Sequence, residues 1–275
     1  MLVGTPIGNL GDLSARAVDA LTTADTIACE DTRRTRALLS HLGLPGGRRL
    51  LAVHDHNEAA EVANVLARLD KGERVVVVTD AGMPGISDPG ERLVAAAAAA
   101  GHTVEVVPGP SAMIAALVVS GLSTSRFCFE GFLPRKGSAR AHRLAEVAAD
   151  TRTTVLFEAP HRVRQTVADL AVAAGGRRRV ALVRELTKLH EEIWRGTLEG
   201  ALAHLETKEP RGEYVVVLDG APPAAPADES DVEDALRARL DAGADKRTAI
   251  AEVTAALGVP KRLVYDTALR ITHGG

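Results

Sequence analysis

Residues 80–90 read DAGMPGISDPG and follow directly on the apolar, β-branched run VVVVT. Glycine admits backbone conformations and close approaches that other residues refuse, and proline fixes φ and removes a hydrogen-bond donor. Three glycines and two prolines in eleven positions therefore exclude helix and strand alike. A plain strand-to-helix turn needs only about two to six residues, so a segment of this length is a binding loop. Two shorter segments of the same character, GTPIGN at 4–9 and PGPSA at 108–112, also follow short apolar runs. Ser111 can cap the helix that follows it. Ligands in open α/β folds bind beyond the carboxyl ends of strands, so three such loops converge on one crevice and favour a nucleoside-like cofactor there. GTPIGN matches neither the dinucleotide pattern GxGxxG nor the phosphate-loop pattern GxxxxGK[ST], which disfavours NAD binding and ATP hydrolysis.

Apolar runs alternate with Ala/Leu-rich stretches of helical period along most of the chain, the pattern of an α/β fold with a largely parallel sheet. The runs predict strands at 1–3, 26–29, 50–53, 75–79 and 103–106, then at 127–130, 154–157, 180–184 and 214–218. Helices are expected at 14–22, 33–41, 58–70, 89–100, 111–120, 139–149 and 162–173, with Ser14 and Ser111 as N-caps, Pro89 in a first turn, and Gly43 and Gly101 closing helices. This divides the chain into an α/β lobe over 1–108 and a second over 109–220. Residues 221–230, rich in Pro, Ala and acids, read as a linker. Residues 231–275 read as a three-helix module of helix-turn-helix type, able either to bind nucleic acid through Lys261 and Arg262 or simply to pack.

Of the 275 residues, 46% are apolar, enough for more than one core. No apolar run approaches the roughly 20 residues that cross a bilayer, and the start lacks a signal-peptide pattern, so the expectation is a cytoplasmic enzyme without membrane contact. Cys29 and Cys128 stand far apart in no metal or disulfide pattern. A formal net charge of -3 excludes a generic polyanion binder and leaves local basic clusters, such as Arg135, Lys136, Arg140 and Arg143, to make any nucleic-acid contact.

Eight ordered motifs narrow the choice: GTPIGNLGDLS, ACEDTRRTRALLSHLG, HDHNE, VVTDAGMPGISDPGERLV, VPGPSA, FCFEGFLPRKG, LFEAPHR and VRELTKLHEE. Together they resemble the RsmI family of 16S ribosomal RNA 2′-O-ribose methyltransferases, within the tetrapyrrole-methylase-like (class III) methyltransferases. Met83 and the Gly-rich turn PGGRR depart from the usual pattern. The resemblance covers residues 1–220, and the terminal helices resemble the module that this family appends. It implies a two-lobed α/β fold, S-adenosylmethionine as cofactor in the interlobe cleft, no metal, a homodimer, and a cytidine of 16S rRNA in the small ribosomal subunit as acceptor. By carry-over, Pro6 belongs to the first cofactor loop, Asp80, Ala81, Gly82, Ile86 and Ser87 to the second, and Ser111 with Ala112 to the third. Phe157 and Glu158 lie where the second lobe closes on the adenosine. A tetrapyrrole C-methyltransferase would share fold and cofactor, but HNE, GFLPRK and the helical tail speak against it. A ribosome-assembly factor that has kept the fold without turnover is the rival from another class.

Methyl transfer to a ribose hydroxyl needs an aligned oxygen, a group that takes its proton, and cations near the developing charge. Glu30, at the end of the second strand, has first claim as base or sulfonium-facing carboxylate, with Arg33 the cation beside it. Helix capping by Asp31 is the structural alternative. His54, Asp55, His56, Asn57 and Glu58 invite a metal reading, but no third ligand cluster accompanies them. Asn57 and Glu58 are either substrate contacts or helix-starting residues. Lys136, with Arg135, forms the preferred RNA-facing segment. Glu185 is either catalytic or tied up in an internal ion pair with a neighbouring arginine.

Overall fold

Val75–Val78 is buried at every residue, as a strand covered on both faces must be. In the computed structural model, which describes residues 1–44, 49–54, 56–222 and 227–273, this strand (β4) lies in a five-stranded sheet. Its companions are β1 (Leu2–Val3), β2 (Thr26–Cys29), β3 (Arg49–Ala52) and β5 (Val106–Val107), in the order β3-β2-β4-β1-β5. Every pairing is parallel, so all five carboxyl ends open on one edge. Alternation along the strands feeds two cores. Val3, Val76 and Val78 pack with Ala17 and Leu21 of α1 (Ala15–Thr23) and Leu39 of α2 (Thr32–His41). Val75 and Val77 meet Val65 of α3 (Glu58–Leu69) and Leu93 of α4 (Glu91–Ala99) on the other face.

The second sheet holds β6 (Phe127–Phe132), β7 (Thr153–Glu158), β8 (Arg179–Arg184), β9 (Glu192–Thr197) and β10 (Tyr214–Leu218), in the order β6-β7-β10-β8-β9. Period-two alternation is explicit in β10. Val215 and Val217 pack on Ala116 and Leu117 of α5 (Ala112–Ser120). Tyr214, Val216 and Leu218 join the core formed with α6 (Gly137–Ala149), α7 (Pro160–Ala174) and α8 (Leu198–Thr207).

Several expectations need correction. Only β6 and β7 pair in parallel in the second sheet; β7, β10, β8 and β9 are antiparallel neighbours. Sequence reasoning missed β9 and α8 altogether, because β9 is a half-buried edge strand whose composition, EIWRGT, blends into the polar run before it. Pro89 does not start a helix: Gly90 takes φ 140° and becomes the N-cap, so α4 begins at Glu91. The strand expected at 103–106 is Val106–Val107. The Gly-rich turn at 45–48 and Asp55 lie outside the described residues.

The chain separates into two compact units, 1–221 and 222–275. The second is a three-helix bundle of α9 (Glu229–Asp241), α10 (Lys246–Leu257) and α11 (Lys261–His273) around Val232, Leu236, Ile250, Val253, Val264 and Ala268. Helix α9 reaches into the stretch read as linker, because Asp228 and Asp231 form a reciprocal capping box that starts it at Glu229. Gly258, in the left-handed region, ends α10 as a helix-turn-helix turn requires.

Candidate active site

Direct backbone contact pins the three loops to one another. Thr5 and Gly82 exchange N–H···O bonds of 2.9 and 3.1 Å, and the Thr5 hydroxyl donates to the Thr79 carbonyl at 3.1 Å. Gly4 lies so close to the third loop that a Cβ on it would stand 2.6 Å from Gly109 Cα and 2.7 Å from Met83 Sδ. The first loop is thereby stapled to the second and pressed onto the third.

Between these loops and the second sheet lies a cavity of about 380 Å³. Ala81, Gly82, Ile86, Ser87, Ser111, Ala112, Phe157 and Glu158 all line it. Pro6 and Asp80 do not; they face a neighbouring cavity of about 270 Å³ on the far side of the first loop. Sequence reasoning singled out Lys188 of the opposite wall, in RELTK, but missed Val183, Leu186, Tyr214 and Val215. Their one signal was that Val183 and Val215 share the face of their strands that points away from the α6–α8 core. Ser87 holds φ 59°, a conformation that costs a non-glycine residue about 1–3 kcal/mol and marks functional loops. Ser111 accepts the Ile114 N–H at 3.5 Å, so the first turn of α5 opens into the cavity.

Phe157 packs edge-on against Phe129 at 4.9 Å and Phe132 at 5.8 Å between centroids, and Phe132 is 55% exposed at the rim. Glu158 is buried, which demands partners. It accepts the Thr166 hydroxyl at 2.6 Å and the Ala159 N–H at 2.9 Å, and Arg162 Nε lies 3.3 Å away. Thr166 in turn accepts from Arg140, which pairs with Asp169 at 2.7 Å. Arg162 and Arg140 each donate to one further acceptor, the carbonyls of Leu133 and Pro134. The carboxylate at the cavity wall and the chain leading to Arg135 and Lys136 thus share one hydrogen-bonded support. Both basic side chains are exposed, and Lys136 is the N-cap residue of α6.

At the end of β2, Glu30 Oε2 accepts the Asp80 N–H at 3.4 Å, and Glu30 lines neither cavity. Asp31 caps α2 through the Arg33 N–H at 2.8 Å and binds the Arg33 guanidinium twice, at 3.1 and 2.7 Å. That guanidinium holds the Asp31 carboxyl down at about 2. Arg33 is therefore committed to its neighbour, and Arg34, 3.4 Å from Asp80, is the cation of this corner.

Asn57 and Glu58 are both held by backbone groups of the fold. The Asn57 amide accepts from His54 N–H at 2.8 Å and donates to the Ala52 carbonyl, closing the turn before α3. Glu58 is buried and accepts the N–H groups of Gly90, Arg92 and Leu93 at 2.9, 3.0 and 3.3 Å, capping α4 from another element. Glu185 is also tied up, with Lys188 (2.9 Å) as partner in place of the arginine expected, and with the Glu213 N–H. Burial pushes its carboxyl up, but the Lys188 ammonium and the Glu213 N–H outweigh this and leave it below the usual range. Among the described residues, no group of three or more His, Cys, Asp or Glu side chains could hold a metal ion.

Known proteins resemble this chain in sequence and fold. The family of Tetrapyrrole (Corrin/Porphyrin) Methylases matches residues 1–202. A Synechocystis protein named Ribosomal RNA small subunit methyltransferase I is 43% identical over 276 residues, covering 100% of this chain and 98% of that protein. The protein of the same name from Mycobacterium tuberculosis is 45% identical over 271 residues, covering 98% and 94%. Among solved structures, the methyltransferase CobJ superposes with a TM-score of 0.61 at 21% identity, over 80% of this chain and 93% of its own, a likeness of fold. Fold, loop geometry and full-length identity agree, and the chain belongs to the ribosomal RNA small subunit methyltransferase I family, methyltransferases built on the tetrapyrrole methylase fold.

Proposed function

We propose that this protein is an S-adenosylmethionine-dependent methyltransferase that modifies the ribose 2′-oxygen of a cytidine in 16S rRNA of the small ribosomal subunit, acting in the cytoplasm as a homodimer. The observation that carries the reading is the shared support of Glu158 and the Leu133–Pro134 carbonyls, which ties a nucleoside-sized cavity to an exposed basic segment.

The residues present fit the cofactor. Glycine-rich backbone leaves room for a nucleoside, Phe157, Ile86 and Val215 offer apolar walls, and the first turn of α5 suits a carboxylate. Asp88, Glu158 and Glu213 bring carboxylates to the cavity, Glu158 paired with Arg162 and Glu213 with Lys188. When bound, S-adenosylmethionine supplies an electrophilic methyl group on a cationic sulfur. The chain's own work is to align the acceptor hydroxyl, exclude water and accept a proton. Glu30, hydrogen-bonded to the first residue of the second loop, is the proposed proton acceptor, and Arg135 and Lys136 hold RNA phosphate.

A second copy would cover the apolar surface of the edge strand β5 and of α5. Val106, Ile114 and Val118 are 52%, 42% and 66% exposed there, although α5 is apolar all round in the way of a buried helix.

Incubation with labelled S-adenosylmethionine and small subunits from a strain lacking the modification tests the reading. Label is expected in 16S rRNA, on a cytidine whose 3′ linkage resists alkali. Cofactor binding without label in RNA refutes it.

A further inference from the structure

Strand β6 carries one residue too many where it meets β7. Phe129 pairs with Val155, but Gly131 pairs with Leu156 and Phe132 with Phe157, so Glu130 has no residue opposite it. Successive residues of a strand point to opposite faces, and the bulge therefore moves Phe132 onto the face that Phe129, Val155 and Phe157 share. An unbulged β6 would set Phe132 opposite Glu158, on the face where Leu156 joins the α6–α8 core. Gly131 takes φ 60° at the bulge, and a Cβ there would stand 3.3 Å from Ser87 Oγ, so the bend is seated against the second loop. The outcome is a phenyl ring in the wall of the cofactor cavity, held edge-on by Phe157 yet 55% exposed. Ile86 of the second loop, 43% exposed, is the other large apolar side chain of that wall left open to solvent among the described residues.

We infer that Phe132 is the platform on which the base of the acceptor nucleotide stacks, at the rim of the cavity that the cofactor fills. The inference rests on the methyltransferase reading and names how that site holds its RNA. A base drawn out of its own stack is held by stacking on aromatic side chains. Three described rings line the cavity, and of these Phe157 is half-buried, Tyr214 is buried and Phe132 is exposed. Position points the same way. The ring and the cofactor loops line one cavity, so donor and acceptor share a single space. A base and its 2′-oxygen hang from adjacent sugar carbons, and a base resting on Phe132 therefore brings the hydroxyl to the cavity mouth, as in-line transfer requires. The phosphates have an adjoining place. Leu133 and Pro134 follow the ring with their carbonyls held by Arg162 and Arg140, and the exposed side chains of Arg135 and Lys136 come next. One anchored segment thus offers a ring for a base and cations for the backbone beside it.

Methyl transfer to small subunits and calorimetric affinity for S-adenosylmethionine, read together, test the platform. Phe132→Leu keeps apolar bulk and removes the π face. It should lower kcat/KM for the particle by about 10- to 100-fold, the loss of one base stack, with cofactor affinity within about twofold of wild type. Phe132→Tyr, which restores a ring, should keep most of the turnover. Val172→Ala, which removes an 89% exposed apolar side chain from α7 outside the cavity wall, should act like wild type. Full turnover by folded Phe132→Leu protein overturns the inference. An equal fall in cofactor affinity also overturns it and makes the ring part of the cofactor site, and a changed sedimentation coefficient overturns it in favour of a contact between copies. Photocrosslinking of small subunits carrying 5-iodocytidine in 16S rRNA reads the contact without turnover and should label Phe132. Methylation by wild type with no crosslink at Phe132 refutes the platform and leaves the proposed function standing. A crosslink at Phe132 with no methylation by wild type refutes the proposed function and leaves the ring as an RNA contact.

Discussion

The buried carboxylate of Glu58 accepts the backbone N–H of Gly90 at 2.9 Å, so an acid 32 positions earlier in the chain anchors the exit of the second loop. The same oxygen accepts from Arg92 and Leu93, at the positive end of α4. If Glu58 is a cap, Glu58→Gln keeps an acceptor oxygen and should retain most turnover, whereas Glu58→Ala strands buried N–H groups. We expect the alanine variant to lose about 2–3 kcal/mol of stability and to bind S-adenosylmethionine more weakly. Urea unfolding with cofactor titration checks both; equal loss of turnover in the two variants would point to a catalytic carboxylate.

Gly4 and Gly109 touch backbone to backbone. A Cβ on Gly109 would lie 2.8 Å from Gly4 Cα, and one on Gly4 would meet Gly109 and Met83 as closely. Either alanine variant should force the first and third loops apart at a cost of about 1–3 kcal/mol. Cofactor affinity should fall more than stability does, because the contact sits where the loops frame the cavity. Thermal melts with and without S-adenosylmethionine measure the difference.

Arg140 contributes through position. It pairs with Asp169, donates to Thr166 and holds the Pro134 carbonyl. Arg140→Met should destabilise the protein by about 2–4 kcal/mol, since it removes the guanidinium that pairs with Asp169 and leaves Thr166 only its bond to Glu158. Hydrogen exchange should quicken across residues 133–137, and the KM for small subunits should rise. Unchanged exchange there would separate Arg140 from the basic segment.

Asp150 supplies a pH signature remote from the site. Hydrogen bonds from the Arg152 side chain hold its carboxyl at about 2, against an ordinary 3.8. A depressed carboxylate stabilises the fold fully above its unfolded value, and that contribution is lost as pH falls through the folded one. Wild type should therefore lose stability between about 3.8 and 2, and Asp150→Asn should show a shallower acid limb over this window. Parallel slopes in acid melts would show that the pair contributes nothing.

The loops were legible because their chemistry is local. A glycine that must take positive φ, such as Gly82 at 85°, declares itself in any sequence, and so does Ser111 capping the helix it precedes. The apolar runs that became β2, β4 and β10 were equally plain, each buried at every residue. Charged residues were read less well. Asn57, Glu58, Arg33 and Glu185 all stand in motifs beside strand ends; Glu58 is engaged by N–H groups more than 30 positions away, whereas Asn57, Arg33 and Glu185 each take one near neighbour out of several on offer.

Strand order, the antiparallel partners of the second sheet and the division of the crevice into two cavities were decided only by tertiary structure. The amino-acid sequence by itself determined an α/β chain with three glycine-rich loops at strand ends and a helical tail. Folding assigned the side chains around them: Glu158 to Thr166 and Arg162, Glu58 to a helix start across the lobe, and Pro6 with Asp80 to the thin wall between cavities. The physical reason is range. Backbone conformation and burial period depend on neighbours within a few residues, whereas the partner of a carboxylate depends on which distant N–H or guanidinium the packed sheets bring within 3 Å or so.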